Sequence, residues 1–198
     1  MFVRYSDSFK RKIVVLYPGE FHVTHKDVLA TVLGSCISVC LRDTVSGIGG
    51  MNHFMLPGDL RRADLFLSPS AKYGMFAMEL LINELLKNGC SRKNFEAKVF
   101  GGGHVLNFRK MEGNVPESNI EFALSFLKME QIHLVNHDVG GYCGRKILFF
   151  PDTGKVLLKR IKPAVDSKIL QAETMYKTLL VHEKERLQEF GGDLTLFQ

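Results

Sequence analysis

The sequence lacks any hydrophobic run long enough to cross a membrane. No apolar stretch approaches the roughly 18 residues that a span requires, and the mean hydropathy is only +0.01. The N-terminal segment MFVRYSDSFKRK has no apolar stretch of the kind found in secretory signals. These absences argue against membrane insertion and predict a cytoplasmic protein.

Cysteine is scarce and irregularly spaced. The four cysteines, at positions 36, 40, 90 and 143, match neither a disulfide framework nor the paired Cys-x-x-Cys spacing of zinc sites. Free thiols are therefore expected, and a functional role for any one of them has to be argued from its neighbours.

An excess of charge of one sign is also missing. The chain has 26 Lys and Arg against 21 Asp and Glu, a net charge of +5, and no basic cluster alternates with aromatic residues as in nucleic-acid-binding surfaces. We therefore predict no nucleic-acid partner. What the 198 residues do contain is 45% apolar and 24% charged residues, a composition typical of a globular domain with its own core.

Hydrophobic patterning predicts strands and helices in uneven alternation. Apolar residues recur at helical spacing over 72–88, and Gly89 is expected to end that helix. Ser118 and Glu121 form a capping box, which predicts a helix from Ser118 to about Met129. Strands are expected at 12–17, within 28–56, and at 95–100, 132–136, 146–150 and 155–161, with a loop at 57–70. This order favours an α+β sandwich of mixed, largely antiparallel sheets over a doubly wound parallel sheet.

The most informative segment is predicted to be a β-hairpin with a four-residue turn at Asp43–Ser46. In this register Arg42 pairs with Gly47, which places Cys36 directly opposite His53 on one face of the sheet. Directly opposed Cβ atoms lie about 4.5–5.5 Å apart. The prediction depends on the register, because a slip of one residue would put the two side chains on opposite faces.

A thiol beside an imidazole is the minimum for nucleophilic catalysis by cysteine. The histidine removes the proton, and the thiolate is the species that attacks. His53 is the candidate base for Cys36, and a third side chain usually orients such a histidine. Thr31 and Asn52 are both candidates for that role. The alternative, in which Cys36 is a small core residue and His53 lies at the edge of the core, remains open at this point.

Substrate contacts are assigned to Gly34, Ser35 and Asn52. The glycine and the small serine leave the backbone before Cys36 open to close approach, and the backbone amides of Ser35 and Cys36 are candidate donors to an oxyanion.

Two competing motifs are weaker. His22 and His25, together with Cys36 and Cys40, are candidate zinc ligands, although their spacing is irregular. The Gly101–Gly103 run lacks the spacing and the Lys-Ser/Thr of a phosphate-binding loop. We interpret it as a tight turn, which borders the site if the hairpin prediction holds.

A family resemblance emerges from the order of short motifs along residues 12–162. The motifs are Leu33-Gly-Ser-Cys36, Asp43, Gly49-Gly-Met-Asn-His53, Met55-Leu-Pro57, Met78–Leu86, Lys98–Gly103, Asp138–Gly141, Gly144-Arg145 and Thr153–Val156. Together they resemble the CheD family, the chemoreceptor glutamine deamidases of bacterial chemotaxis. An ordered set of this kind is far more specific than any single motif.

The resemblance implies a function and a mechanism. It implies that Cys36 is the nucleophile, His53 its base and Thr31 a third catalytic residue, acting on glutamine side chains of the cytoplasmic helices of methyl-accepting receptors. It also implies an α/β sandwich shared with glutamine-deamidating toxins, and the CheC phosphatase as a partner. No metal or organic cofactor is expected, because nucleophile and base are both side chains. A non-enzymatic adaptor that binds CheC or receptors is the alternative.

The chain departs from the family pattern in two places. Val115-Pro-Glu-Ser-Asn119 replaces an Ile-Gly-x-Arg-Asn segment found in many members, so contacts made there are in question. The tail also extends beyond the family core, and its apolar residues predict a helix over 166–190. We therefore divide the chain into a deamidase domain, residues 1–163, and a helical extension, residues 164–198, packed on the domain or on a partner and dispensable for the chemistry.

Overall fold

A computed structural model describes residues 1–56, 69–105 and 114–161, together with residues 171, 174–176, 178–180 and 182. Within these residues, ten strands form two five-stranded sheets. The strands are β1 (Phe2–Ser6), β2 (Arg11–Val15), β3 (Phe21–Thr24), β4 (Val28–Leu33), β5 (Ile37–Asp43), β6 (Gly49–Asn52), β7 (Phe95–Gly101), β8 (His133–Val139), β9 (Gly144–Phe150) and β10 (Lys155–Ile161), and the longer helices are α1 (Pro69–Lys87) and α2 (Val115–Met129).

The two sheets are mixed but largely antiparallel. The first has the strand order β1-β2-β4-β9-β10 and the second β3-β6-β5-β7-β8. Only the pairs β2–β4 and β7–β8 are parallel among the described strands. This arrangement confirms the predicted α+β class.

The central strands of the second sheet, β5 and β6, are buried on both faces, which sets up three layers. On β5, Ile37, Val39 and Leu41 pack against α1 and α2, while Cys36 and Cys40, on the alternate positions, pack in the cluster shared with the first sheet. Side chains of a strand alternate between faces, so this pattern places the thiols between the two sheets and the helices outside the second sheet.

The helices follow the sequence pattern closely, with one correction. α1 covers most of the predicted 72–88 helix, and Gly89 follows it with a φ of +83°. α2 begins at Val115, however, so the prediction of a cap at Ser118 is wrong. Pro116 accounts for the earlier start, because proline suits the first helical turn, where an N–H would have no partner within the helix.

Part of the predicted structure lies outside the described residues. This applies to residues 57–68 of the predicted loop and to most of the predicted 166–190 helix. The residues described between 171 and 182 are helical. Among the described helices, none is long and apolar enough to cross a bilayer.

The predicted register of the β5–β6 hairpin is wrong by two residues. Arg42 pairs with Gly49 rather than with Gly47. A shift of two residues leaves every side chain on its predicted face, because the side-chain period of a strand is two. Cys36 and His53 are therefore still predicted to share a face, but they are no longer directly opposite.

Asp43 explains the altered register. The Asp43 N–H donates to the Ile48 carbonyl at 2.9 Å, so the strand continues through Asp43 and the four-residue loop is 44–47. The Asp43 carboxylate accepts the N–H groups of Val45 and Ser46 at 2.8 and 3.0 Å. Burial acts to raise the pKa of Asp43, but these bonds and others, including one from the Ser91 N–H, hold that pKa below its ordinary value.

Candidate active site

Cys36 lies in the turn between β4 and β5 and is fully buried. Each of the three carbonyl groups in this turn accepts a hydrogen bond. The donors are Gly103 N to Gly34 O (2.7 Å), Asn119 Nδ2 to Ser35 O (2.8 Å) and Gly102 N to Cys36 O (2.7 Å). A trans peptide directs its N–H opposite to its C=O. The N–H of Ser35 therefore points away from Gly103, and the N–H of Cys36 points away from Asn119. Both N–H groups stay candidates for an oxyanion hole.

The Gly101–Gly103 run packs against the backbone of this turn. At Gly101, where φ is +117°, a Cβ atom would lie 2.1 Å from the carbonyl oxygen of Cys36. At Gly103 a Cβ atom would lie 3.2 Å from the carbonyl oxygen of Gly34. The predicted tight turn is therefore a surface without side chains on which the cysteine turn rests.

A partly buried ion pair holds the glycine run in place. Arg145 is buried and donates to the Asp138 carboxylate at 2.8 Å and to the Gly140 carbonyl at 2.6 Å. The Gly140 N–H in turn donates to the Gly101 carbonyl at 2.9 Å. The Asp138–Gly141 and Gly144-Arg145 motifs are thus connected to the Cys36 turn indirectly, through the backbone of the glycine run.

Asn119 is a site residue that the sequence reasoning missed. It is fully buried, and its side chain joins two segments: Oδ1 accepts the Leu56 N–H at 2.8 Å, while Nδ2 donates to the Ser35 carbonyl. The signal was present in the altered 115–119 segment, where the asparagine is the residue that still matches the Ile-Gly-x-Arg-Asn pattern. Asn119 therefore fixes the turn before Cys36 relative to the chain that follows His53.

His53 and Thr31 are brought together from the two sheets. Thr31 lies on β4 and His53 directly follows β6, and both are buried. The Thr31 hydroxyl lies 2.7 Å from Nδ1 of His53 and 2.8 Å from the carbonyl oxygen of Leu16. The His53 backbone is held as well, because its N–H donates to Glu20 O at 2.9 Å and its carbonyl accepts from Gly19 N at 2.7 Å.

The Thr31 contacts determine the tautomer of His53. A hydroxyl has one hydrogen, and the Leu16 carbonyl can only accept. The Thr31 hydrogen therefore points to Leu16, and Thr31 Oγ1 accepts the proton on Nδ1 of His53. In the neutral ring this leaves the lone pair on Nε2, the atom required of a general base.

Met55, rather than His53, is the residue opposite Cys36. Ile37 forms a bridge with Phe54, so the register places Cys36 beside Met55 and diagonal to His53. Diagonal neighbours have Cβ atoms about 7–8 Å apart or somewhat less, a separation that aromatic and long side chains span.

The other predicted site residues have structural partners. The Ser35 hydroxyl contacts the Met55 sulfur at 3.7 Å. The Asn52 side chain accepts the Val39 N–H at 2.9 Å and donates to the Ala77 carbonyl at 3.2 Å. Of the two candidates for orienting His53, Thr31 is the one that contacts the imidazole through Nδ1.

The zinc alternative finds no support in the described part of the chain. There, no three His, Cys, Asp or Glu side chains lie close enough to hold a metal ion. Cys40, one of the suggested ligands, is buried, and burial raises the pKa of its thiol despite the opposing charge of Lys98. A thiol in that environment stays protonated and is a poor ligand.

Comparison with known proteins decides the family. The family model described as CheD chemotactic sensory transduction matches residues 55–160. A protein of Herminiimonas arsenicoxydans is 46% identical over 197 residues, which cover 98% of this chain and 94% of that protein. A protein of Thiobacillus denitrificans is 47% identical over 195 residues, with 98% and 93% covered. The chain belongs to the CheD family.

Both relatives carry the name probable chemoreceptor glutamine deamidase CheD. So does a protein of Janthinobacterium that is 46% identical over 199 residues, covering 98% of this chain and 94% of that protein. The matches to all three extend beyond residues 55–160, so they include Cys36, His53 and most of the C-terminal tail.

Proposed function

We propose that this chain deamidates glutamine side chains of chemoreceptors, with Cys36 as the nucleophile, His53 as the base and Thr31 as the residue that orients the base. Membership in the CheD family supports the assignment of the reaction. The bridge from Leu16 O through Thr31 to Nδ1 of His53 carries the mechanism, because it leaves Nε2 as the basic atom on the face of the sheet that also bears Cys36.

The first half of the reaction forms a thioester. Nε2 of His53 takes the thiol proton, and Sγ of Cys36 attacks the side-chain carbonyl carbon of the glutamine. The carbonyl oxygen becomes an oxyanion, which the N–H groups of Ser35 and Cys36 stabilise. Each well-aimed donor of this kind contributes about 3 kcal/mol. The C–N bond then breaks, the imidazolium gives its proton to the leaving nitrogen, and ammonia departs.

The second half hydrolyses the thioester. His53, neutral again, removes a proton from a water molecule as that water attacks the thioester carbon. The C–S bond breaks, Cys36 leaves as a thiolate that regains a proton from His53, and the product is glutamate. The hydrogen bond from Nδ1 to Thr31 persists throughout and stabilises the imidazolium in both halves.

Substrate access requires a side-chain movement. Cys36 is fully buried, and a cavity of about 620 Å³ lined by His53 and Met55 adjoins the site. Because Met55 lies opposite Cys36 in the register, we expect its unbranched and adaptable side chain to move when the carboxamide enters.

Further parts of the proposal concern partners and location. The substrate is the helical cytoplasmic part of a receptor, and the protein acts in the cytoplasm, where those helices are. That a CheC-type phosphatase is a second partner stays a prediction. Co-purification of this protein with such a phosphatase tests it.

The decisive experiment uses a receptor cytoplasmic fragment. Incubation with the protein should convert specific glutamines to glutamate, detected by mass spectrometry of tryptic peptides. Cys36→Ala and His53→Ala should abolish the conversion, whereas Cys143→Ala, at a partly exposed thiol, should retain it. An active, folded Cys36→Ala protein would refute the mechanism, and receptor binding without any conversion by the unmodified protein would favour the adaptor alternative.

A further inference from the structure

The cavity beside His53 is lined in part by C-terminal residues. Four parts of the chain line it: residues 19–21, the segment that contains His53, helix α1, and the helical residues between 176 and 182. The C-terminal residues thus reach the candidate active site, although the tail was predicted to be dispensable for the chemistry.

The C-terminal residues are anchored to the part of the fold that holds the base. Leu180 is buried in the cluster that contains Cys36. Tyr176 packs closely on Gly19: a Cβ atom added to Gly19 would lie 2.9 Å from the Tyr176 ring. The N–H of that same glycine donates to the carbonyl of His53 at 2.7 Å. Tyr176 of the C-terminal segment and the backbone of His53 therefore both contact Gly19.

Two large apolar side chains that line the cavity remain exposed. Phe76 on α1 is 65% exposed and Leu179 on the C-terminal wall is 62% exposed. Single exposed apolar residues are ordinary, but apolar side chains that border one pocket are typical of an interaction site. Here the shared pocket is the one that reaches His53.

We propose that this cavity, with Phe76 and Leu179 at its rim, is the groove that receives the substrate helix. The inference rests on the proposed function, and the occupant follows from continuity with the site: a glutamine that approaches His53 through this cavity brings its own helix against the rim. The two exposed apolar side chains at the rim fit an amphipathic helix. Apolar residues three and four positions from the glutamine lie on the same face of it, where they contact Phe76 and Leu179 in the helix-in-groove mode.

The test substitutes the rim in the full-length protein. Phe76→Ser and Leu179→Ser should each raise KM for the receptor fragment roughly tenfold, the effect expected from losing burial of one large apolar side chain, with kcat unchanged. Both side chains are exposed, so the fold should persist, which circular dichroism checks.

One control lies on the same helical segment as Leu179, and a second lies elsewhere on the surface. Met175 lies one helical turn before Leu179, is 70% exposed, and is not among the described residues that line this cavity. Met175→Ser should therefore leave KM unchanged. Val45, 79% exposed in the β5–β6 loop, gives an equivalent control for Phe76.

A binding arm separates this inference from the proposed function. In a Cys36→Ala background, Leu179→Ser should weaken binding of the receptor fragment by the same factor, measured by fluorescence anisotropy. A fragment whose apolar residues beside the glutamine are changed to serine should bind weakly and lose its sensitivity to Leu179→Ser.

The outcomes are distinct. Binding that depends on Leu179 without deamidation by the unmodified protein would support the groove and overturn the proposed reaction. Deamidation with unchanged KM and unchanged binding in both rim variants would overturn the groove alone. A rise in kcat/KM for Leu179→Ser would also overturn it, because the C-terminal wall would then shield the site instead of receiving the substrate.

Discussion

The bridge between Thr31 and His53 yields the sharpest prediction about catalysis. Thr31→Val keeps the branched shape of the side chain but removes the hydroxyl that lies 2.7 Å from Nδ1 of His53 and 2.8 Å from Leu16 O. The imidazole then loses the acceptor that holds its proton on Nδ1. We expect a fall in kcat with little change in KM, because Thr31 contacts the proposed base and is not among the described residues that line the cavity.

The magnitude follows from the cost of leaving a buried donor without its acceptor. Thr31 and His53 are both buried, and an unsatisfied buried polar group costs about 1–3 kcal/mol. If that cost is incurred in the transition state, it corresponds to a roughly 5- to 150-fold fall in kcat, because about 1.4 kcal/mol is a factor of ten. The free energy of unfolding should fall by a similar amount, since the Leu16 carbonyl also loses its donor.

The assay is the initial rate of glutamine conversion in a receptor fragment, measured at saturating substrate. Thr31→Ser is the matched control, because serine keeps a hydroxyl at the same position and should retain most of the wild-type kcat. A folded Thr31→Val protein with wild-type kcat would refute the assigned tautomer and the role of Thr31.

Three further predictions concern other residues of the domain. Asn119→Ala should lower kcat roughly tenfold, because the buried hydrogen bond to the Ser35 carbonyl is lost. Asn119→Asp should show a similar fall, since a carboxylate cannot donate a hydrogen bond to that carbonyl. Rate measurements on the folded variants test both expectations. Asp43→Asn should lower the free energy of unfolding at neutral pH by about 1–3 kcal/mol. The folded-state pKa of Asp43 is depressed, so the stability that its carboxylate contributes is present above its ordinary pKa and is lost as the pH falls through the folded-state value. Urea titrations at several pH values should show this acid-dependent loss of stability in the wild type and not in the variant. Native iodoacetamide labelling at neutral pH should modify the partly exposed Cys143 and spare Cys40, because burial raises the pKa of the Cys40 thiol; rapid Cys40 labelling would contradict that burial.

Local patterns were sufficient for much of the fold. The apolar spacing of 72–88 specifies α1, because burying one helical face needs the same periodicity wherever the helix packs. The alternation of Ile37, Val39 and Leu41 with Cys36 and Cys40 likewise specifies which face each side chain takes, since strand geometry alone imposes the period of two. The pairing of a cysteine and a histidine as candidate nucleophile and base also came from this short range of sequence.

Contacts between distant segments escaped the same reasoning. The hairpin register was missed because the Asp43 carboxylate caps the loop from within the strand, a competition between side chain and backbone that turn length does not reveal. Asn119 was missed because its two partners, Ser35 and Leu56, are far away in the sequence.

The sequence by itself determined the family, the fold class and the identity of the candidate nucleophile and base. The tertiary structure decided the surroundings of these two residues: which nitrogen of neutral His53 carries the proton, what holds the turn before Cys36, and which parts of the chain line the cavity. The physical reason is that residue types and periodicities are local properties. The direction of a hydrogen bond depends instead on acceptors such as the Leu16 carbonyl, which only folding brings within reach.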